Sequence, residues 1–181
     1  MINEVCLGQM LDVNIGVEKT VTNEEINRKI FLKTATYSFI NPLRIGVALA
    51  GKKNNDFIKL GTHLGIAFQI QDDLLDIKFG SDQTRKSNFN DIAQHQHTLF
   101  TNFVFEKGNK KQKDKLKETF GKKLNKTEKD MLRKAFIDSG AIDYGEKEIT
   151  NNLNKAKKAL EKMKIDEKYK NLFLKLITDL V

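Results

Sequence analysis

The chain has 181 residues, a formal charge of +8, and 39% hydrophobic against 31% charged residues. That composition supports one domain with a buried core and excludes a disordered chain. One cysteine excludes an intrachain disulfide framework and suits a reducing compartment, while the lack of a run of about 18 apolar residues excludes a predicted membrane span.

One proline, no tryptophan and recurrent helical spacing without alternating strand patterns place the chain in the all-α class, as a single domain over residues 1–181. Acidic Glu4 and Asp12, with no basic stretch before them, argue against a signal peptide, so a cytoplasmic location is expected. Residues 1–15, MINEVCLGQMLDVNI, read as a helix on which Gln9 and Asp12 share a face. Thr22 and Glu25 form a T-x-x-E capping box, and the following helix is predicted over residues 23–39. Lys33 and Thr34 lie in its second half. Asn41 as cap and Pro42 at the first position predict a new helix that ends near Gly51.

The long helix predicted over residues 56–78 carries the chemistry. Its core string, GTHLGIAFQIQDDLLD, sets Gln69, Asp72, Asp73 and Asp76 three or four apart, so they make one polar stripe on an otherwise apolar helix. Asp72 and Asp76 are like charges at i, i+4, which costs a few tenths of a kcal/mol. Carboxylates on a mostly buried helix call for a cationic answer, and Mg²⁺ suits it because it takes carboxylate oxygens and still leaves room for water and phosphate. A solvated acidic face paired to surface lysines is the plainer alternative. Gly61 and Gly65 weaken an isolated helix by ~1 kcal/mol each, which makes sense where another backbone comes close.

Residues 79–90, FGSDQTRKSNFN, read as a polar loop bearing Arg85 and Lys86, cations placed to meet an anion near the helix end. Further helices are predicted over residues 92–106, 109–120, 127–137, 146–163 and 166–180. Asn90 or Asp91 is a candidate cap for the first of these. His95 and His97 are i, i+2 and point to different sides, against a metal pair. Across residues 107–134, eleven lysines and one arginine face four acids, a local charge of +8 that accounts for the whole excess of the chain. With only Phe120 as an interleaved aromatic, this stretch reads as a solvated surface rather than a nucleic-acid site.

The residues carry a resemblance. FQIQDDLLD at 68–76 resembles the second aspartate-rich motif of the trans-isoprenyl diphosphate synthases, the polyprenyl synthetases that make geranyl, farnesyl, geranylgeranyl and longer diphosphates. GQMLD at 8–12 is similar to their GQxxD motif, and KTATYSFINPLRIGVALAG at 33–51 to their KT motif and the helix after it. The order and spacing agree over about 90 residues, and farnesyl and geranylgeranyl synthases are the nearest in character. The resemblance implies an antiparallel helix bundle of the isoprenoid synthase type. It also implies Mg²⁺ held by Asp72, with Asp73 and Asp76 in support. Lys33, Thr34, Gln69, Lys86 and Gln96 would contact an allylic diphosphate, and Lys33 and Lys86 would stabilise the departing charge. Gln9 and Asp12 would support the site or line its cavity.

Two departures bear on function. The family's first aspartate-rich motif lies upstream of GQxxD, and here Gly8 stands seven residues after Met1, so the chain is expected to correspond to the C-terminal portion of the fold. The family also has a lysine two residues before the position of Thr98, where this chain has Gln96. The expected activity is condensation of dimethylallyl, geranyl or farnesyl diphosphate with isopentenyl diphosphate, weak for this chain alone. A homodimer, or pairing with the absent half, is the expected assembly. A non-catalytic subunit of the same fold competes with this reading, and a basic helical nucleic-acid-binding protein competes less well.

Overall fold

The structure is a computed structural model that describes residues 2–17, 21–51, 55–78 and 89–180. Every regular element among the described residues is helical, as the composition and periodicity required. They are α1 (Ile2–Val17), α2 (Asn23–Ile30), a π-helical segment (Phe31–Ile40), α3 (Asn41–Leu49), α4 (Asp56–Lys78), α5 (Asn90–Ala93), α6 (Leu99–Lys107), α7 (Lys110–Thr119), α8 (Lys126–Asp138), α9 (Ala141–Glu161) and α10 (Glu167–Asp179). None of these helices is long and apolar enough to cross a membrane.

The chain divides into two compact units. The first comprises Met1–Leu11, Asn27–Gln71 and Glu148–Val181. Its core takes Leu60, Leu64, Ala67 and Ile70 from one face of α4, all at most 1% exposed. Ala35, Ala156, Leu160 and Ile177 complete it. Burying side chains such as Leu60 and Leu64 contributes about 1.5–3 kcal/mol each, as upper values. His63 Nδ1 lies 3.0 Å from Asn152 Oδ1, while the Asn152 amide nitrogen donates to the Glu148 carbonyl at 2.9 Å. The amide orientation therefore makes His63 Nδ1 the donor.

In the first unit residues 31–40 form a π-helix where an ordinary α-helix is expected, and neighbouring helices come close to it. A side chain on Gly8 would meet the backbone nitrogen of Lys33 at 2.8 Å, one on Gly61 would meet Ile40 Cγ1 at 2.9 Å, and one on Gly65 would meet the Ala35 Cα at 2.3 Å. Three glycines thus let α1 and α4 press directly on this backbone, as the glycines of α4 suggested from sequence. Thr36 donates its hydroxyl to the Phe31 carbonyl at 2.8 Å, and the Asn41 N–H reaches the Thr36 carbonyl, both five residues back. The wide turns replace the second half of the predicted α-helix. Asn41 consequently sits in helical conformation and caps nothing; its amide donates to Glu4 Oε2 at 3.3 Å. Gly51, at φ +66°, ends α3 in the left-handed conformation expected of it.

The second unit comprises Asp12–Ile26 and Asp72–Lys147. Phe89, Phe100, Phe136, Ile26, Ile92, Leu99, Leu116 and Leu132 are among its fully buried large side chains. Thr22 and Glu25 form the predicted capping box: the Thr22 N–H and hydroxyl donate to Glu25 Oε2 at 2.8 and 2.7 Å. The predicted helix over 92–106 is instead two elements. α5 ends after one turn, His95 adopts φ +59°, and Thr98 starts α6 with a box to Thr101. Asn109 and Asn125, each boxed with the side chain three residues on, start α7 and α8. α9 runs unbroken through Gly145, where the Phe100 ring lies 2.1 Å from the position of a Cβ and only a glycine fits.

Candidate functional site

Thr34 and Gln69 are 35 residues apart in sequence, and the first unit brings them together. Thr34 is buried and donates its hydroxyl to Gln69 Oε1 at 2.6 Å. The wide turns of the π-helical segment present Thr34, and the contact of Gly65 with Ala35 sets its distance from α4. With Oε1 accepting from Thr34, the Nε2 end of Gln69 is left as the donor toward other groups. Lys33, the preceding residue, is half-buried. Phe39 and Phe68 meet edge to face at 5.8 Å on the same pair of elements.

The acidic stripe lies further along α4, in the second unit, and its three members have three environments. Asp72 is exposed, Asp73 is buried at 6% exposure, and Asp76 is half-buried. Asp76 Oδ1 accepts the Asn90 N–H and Oδ2 the Asp91 N–H, each at 3.2 Å. Burial pushes the Asp76 carboxyl above its ordinary pKa, the two amide donors act the other way, and the Asp72 charge adds to the rise. The predicted cap of the next helix is thus supplied by Asp76 from α4, not by Asn90 or Asp91. Among the described residues, no group of three His, Cys, Asp or Glu side chains is disposed to hold a metal ion. The donor chemistry still fits Mg²⁺, which binds one or two carboxylates and takes the rest of its shell from water and phosphate. Asp72, the exposed carboxylate, is the donor best suited to that arrangement.

Gln96 is half-buried, and its amide nitrogen donates to Gln94 Oε1 at 3.0 Å. Gln9 is exposed and Asp12 is buried at 8% exposure. Lys86 and Arg85 lie outside the described residues. Sequence reasoning missed Arg133, which it counted among the solvated basic residues. Its Nε donates to the Ile77 carbonyl at 2.9 Å, its Nη1 donates to Asp130 at 2.9 Å, and its guanidinium carbon sits 5.3 Å from the centre of the Phe89 ring. A lone arginine in a lysine-rich stretch was the only signal, since Arg rather than Lys stacks and donates as a planar fork.

A polyprenyl synthetase family model matches residues 1–137. The chain belongs to the polyprenyl synthetase family. Geranylgeranyl pyrophosphate synthase of Geoglobus acetivorans is 33% identical over 162 residues, covering 87% of this chain and 48% of that protein. The solved geranylgeranyl pyrophosphate synthetase of the same archaeon is 30% identical, with a TM-score of 0.81 over 98% of this chain and 54% of that one. A geranylgeranyl pyrophosphate synthase of Corynebacterium glutamicum, solved with isoprenyl diphosphate and magnesium, shares the fold at a TM-score of 0.92 and 22% identity. It covers 99% of this chain, which covers 52% of it. The chain therefore spans about half the length of the curated relatives it matches. The motifs that pointed to polyprenyl synthetases, and the all-α isoprenoid synthase fold they implied, are borne out.

Proposed function

We propose that the chain acts in isoprenyl diphosphate synthesis, as the part of a prenyltransferase that grips the diphosphate of an allylic substrate. The hydrogen bond from Thr34 to Gln69 carries this reading, because it joins the KT motif to the acid-rich motif. Lys33 supplies a charge beside Thr34, and Lys86 is assigned the same role from sequence. Gln96 offers a hydrogen bond without charge. Asp72 would hold Mg²⁺, with Asp73 and Asp76 in support. When bound, the ion would neutralise diphosphate oxygens and stabilise the leaving group. The allylic C–O bond then ionises, the double bond of isopentenyl diphosphate attacks the cation, and loss of a proton gives the 1′-4 head-to-tail product. Dimethylallyl, geranyl and farnesyl diphosphates are the allylic substrates of this reading, and the cytoplasm its setting.

The 181 residues contain one aspartate-rich motif, so condensation by this chain alone is expected to be slow. A second copy, or a polypeptide carrying the remaining length of the family fold, is the proposed partner. Ile2, Leu7 and Met10 of α1, exposed by 73%, 55% and 68%, are apolar residues such a partner would cover. The absence of charge at Gln96 favours a second reading, a non-catalytic subunit that alters a partner's product length. Calorimetry with inorganic pyrophosphate, with and without Mg²⁺, tests the first reading. Binding that requires Mg²⁺ and weakens in Thr34→Val is expected; no Mg²⁺-dependent binding by the parent chain overturns it. An assay of geranyl diphosphate with labelled isopentenyl diphosphate tests the rest, and brisk turnover by the chain alone overturns the expected weakness.

A further inference from the structure

We propose that Asp76 and Arg133 are positioning residues: they clasp the last turn of α4 to Phe89–Asp91, and the carboxylate of Asp76 supports the metal site through that clasp rather than as a ligand. The chain leaves α4 at Lys78 and is described again at Phe89, yet the two ends are adjacent. The Phe89 N–H donates to the Asp76 carbonyl at 3.1 Å. Phe89 has φ +60° and is 1% exposed. A buried phenylalanine in that conformation is strained and persists only where its surroundings over-determine it.

Three interactions do so, all within the second unit. The Phe89 ring stacks on Phe136 at a centroid distance of 6.4 Å. The Arg133 guanidinium lies over that ring, and the same group donates to the Ile77 carbonyl. That carbonyl belongs to the last described turn of α4. Asp76 accepts the Asn90 and Asp91 amides through its two oxygens, so α5 receives its cap from another helix. Its own N-cap residue, Phe89, has no side-chain acceptor to offer.

The clasp divides the labour of the acidic stripe. Asp72 stays exposed for a cation, while Asp76, one turn on, fixes the backbone at the end of the helix and at the start of the segment that leads to Gln96. The functional half of this inference rests on the diphosphate reading; the clasp itself does not.

Hydrogen exchange of the 89–94 backbone amides, measured in EDTA, tests the clasp without metal or substrate. Asp76→Ala and Arg133→Leu should speed exchange at Asn90 and Asp91 about tenfold, the loss of one charge-assisted bond. Arg133→Lys should restore part of the protection, and Asp72→Asn and Lys134→Met should leave it unchanged. Calorimetry with Mg²⁺ and pyrophosphate, well below each melting temperature, tests positioning: Asp76→Ala and Arg133→Leu should weaken binding about tenfold and Lys134→Met should not. If Asp76→Ala does not fold, Asp76→Asn, which keeps one acceptor, should show the same order of effects in smaller measure. Unchanged exchange in Asp76 and Arg133 variants overturns the clasp. Faster exchange with unchanged pyrophosphate affinity overturns the positioning role. If the parent chain binds no pyrophosphate, the diphosphate reading falls and exchange alone decides the clasp.

Discussion

Replacing Gly65 by alanine should destabilise the protein, although alanine is the better helix former. The propensity gain in the middle of α4 is ~1 kcal/mol. Against it, the new methyl group would stand 2.3 Å from the Ala35 Cα and 2.4 Å from its Cβ. Neither atom is the end of a flexible chain, so the π-helical segment must move away from α4. Such overpacking typically costs 1–3 kcal/mol or more, and a gap forced between two buried backbones belongs at the upper end, about 3 kcal/mol. The net loss is therefore about 2 kcal/mol, or roughly 4–8 °C in melting temperature at this chain length. Gly46→Ala is the internal control. It also lies in a helix, α3, but nothing stands within 4 Å of its Cβ position. It should gain up to ~1 kcal/mol and raise the melting temperature by about 2–4 °C. Thermal unfolding by circular dichroism gives both values. Because Ala35 adjoins Thr34, Gly65→Ala should also weaken pyrophosphate binding while Gly46→Ala leaves it intact. Equal stabilisation by the two substitutions would refute the argument that the glycines of α4 exist for close backbone contact.

Thr34→Val keeps the shape of a buried side chain but strips the Gln69 carbonyl oxygen of that donor, and should cost about 1–3 kcal/mol in urea unfolding. The Glu25 carboxyl is held below its ordinary pKa of 4.5, first by the Thr22 backbone N–H and then by the Thr22 hydroxyl. A lowered folded-state value means the stabilisation is present above pH 4.5 and fades as pH falls through the lower folded value; the gap in melting temperature between parent and Glu25→Gln should close there. Gly145→Ala would drive a methyl group to 2.1 Å from the ring of Phe100, which is fully buried, and should lower stability by about 2 kcal/mol or more in the same unfolding assay.

The sequence by itself determined the class, the family and most helices, because those depend on local pattern. Apolar residues at three- and four-residue spacing bury one face wherever the helix is placed, and the capping box of Thr22 and Glu25 closes on itself within one turn. The motifs GQMLD, KT and DDLLD are strings, readable without a fold. What tertiary structure decided are the places where a distant backbone intervenes. Gly8, Gly61 and Gly65 admit the backbone of residues 31–40 at close range, and nothing local in FLKTATYSFI announces its wide turns. Asn41 and Asn90 resemble caps in sequence, but Glu4 takes the side chain of one and Asp76 takes the backbone amide of the other. The three aspartates of one stripe look equivalent in a string. Exposure, burial and the amides of Asn90 and Asp91 separate them, because a carboxylate's chemistry is set by what surrounds it, and those surroundings come from parts of the chain far away in sequence.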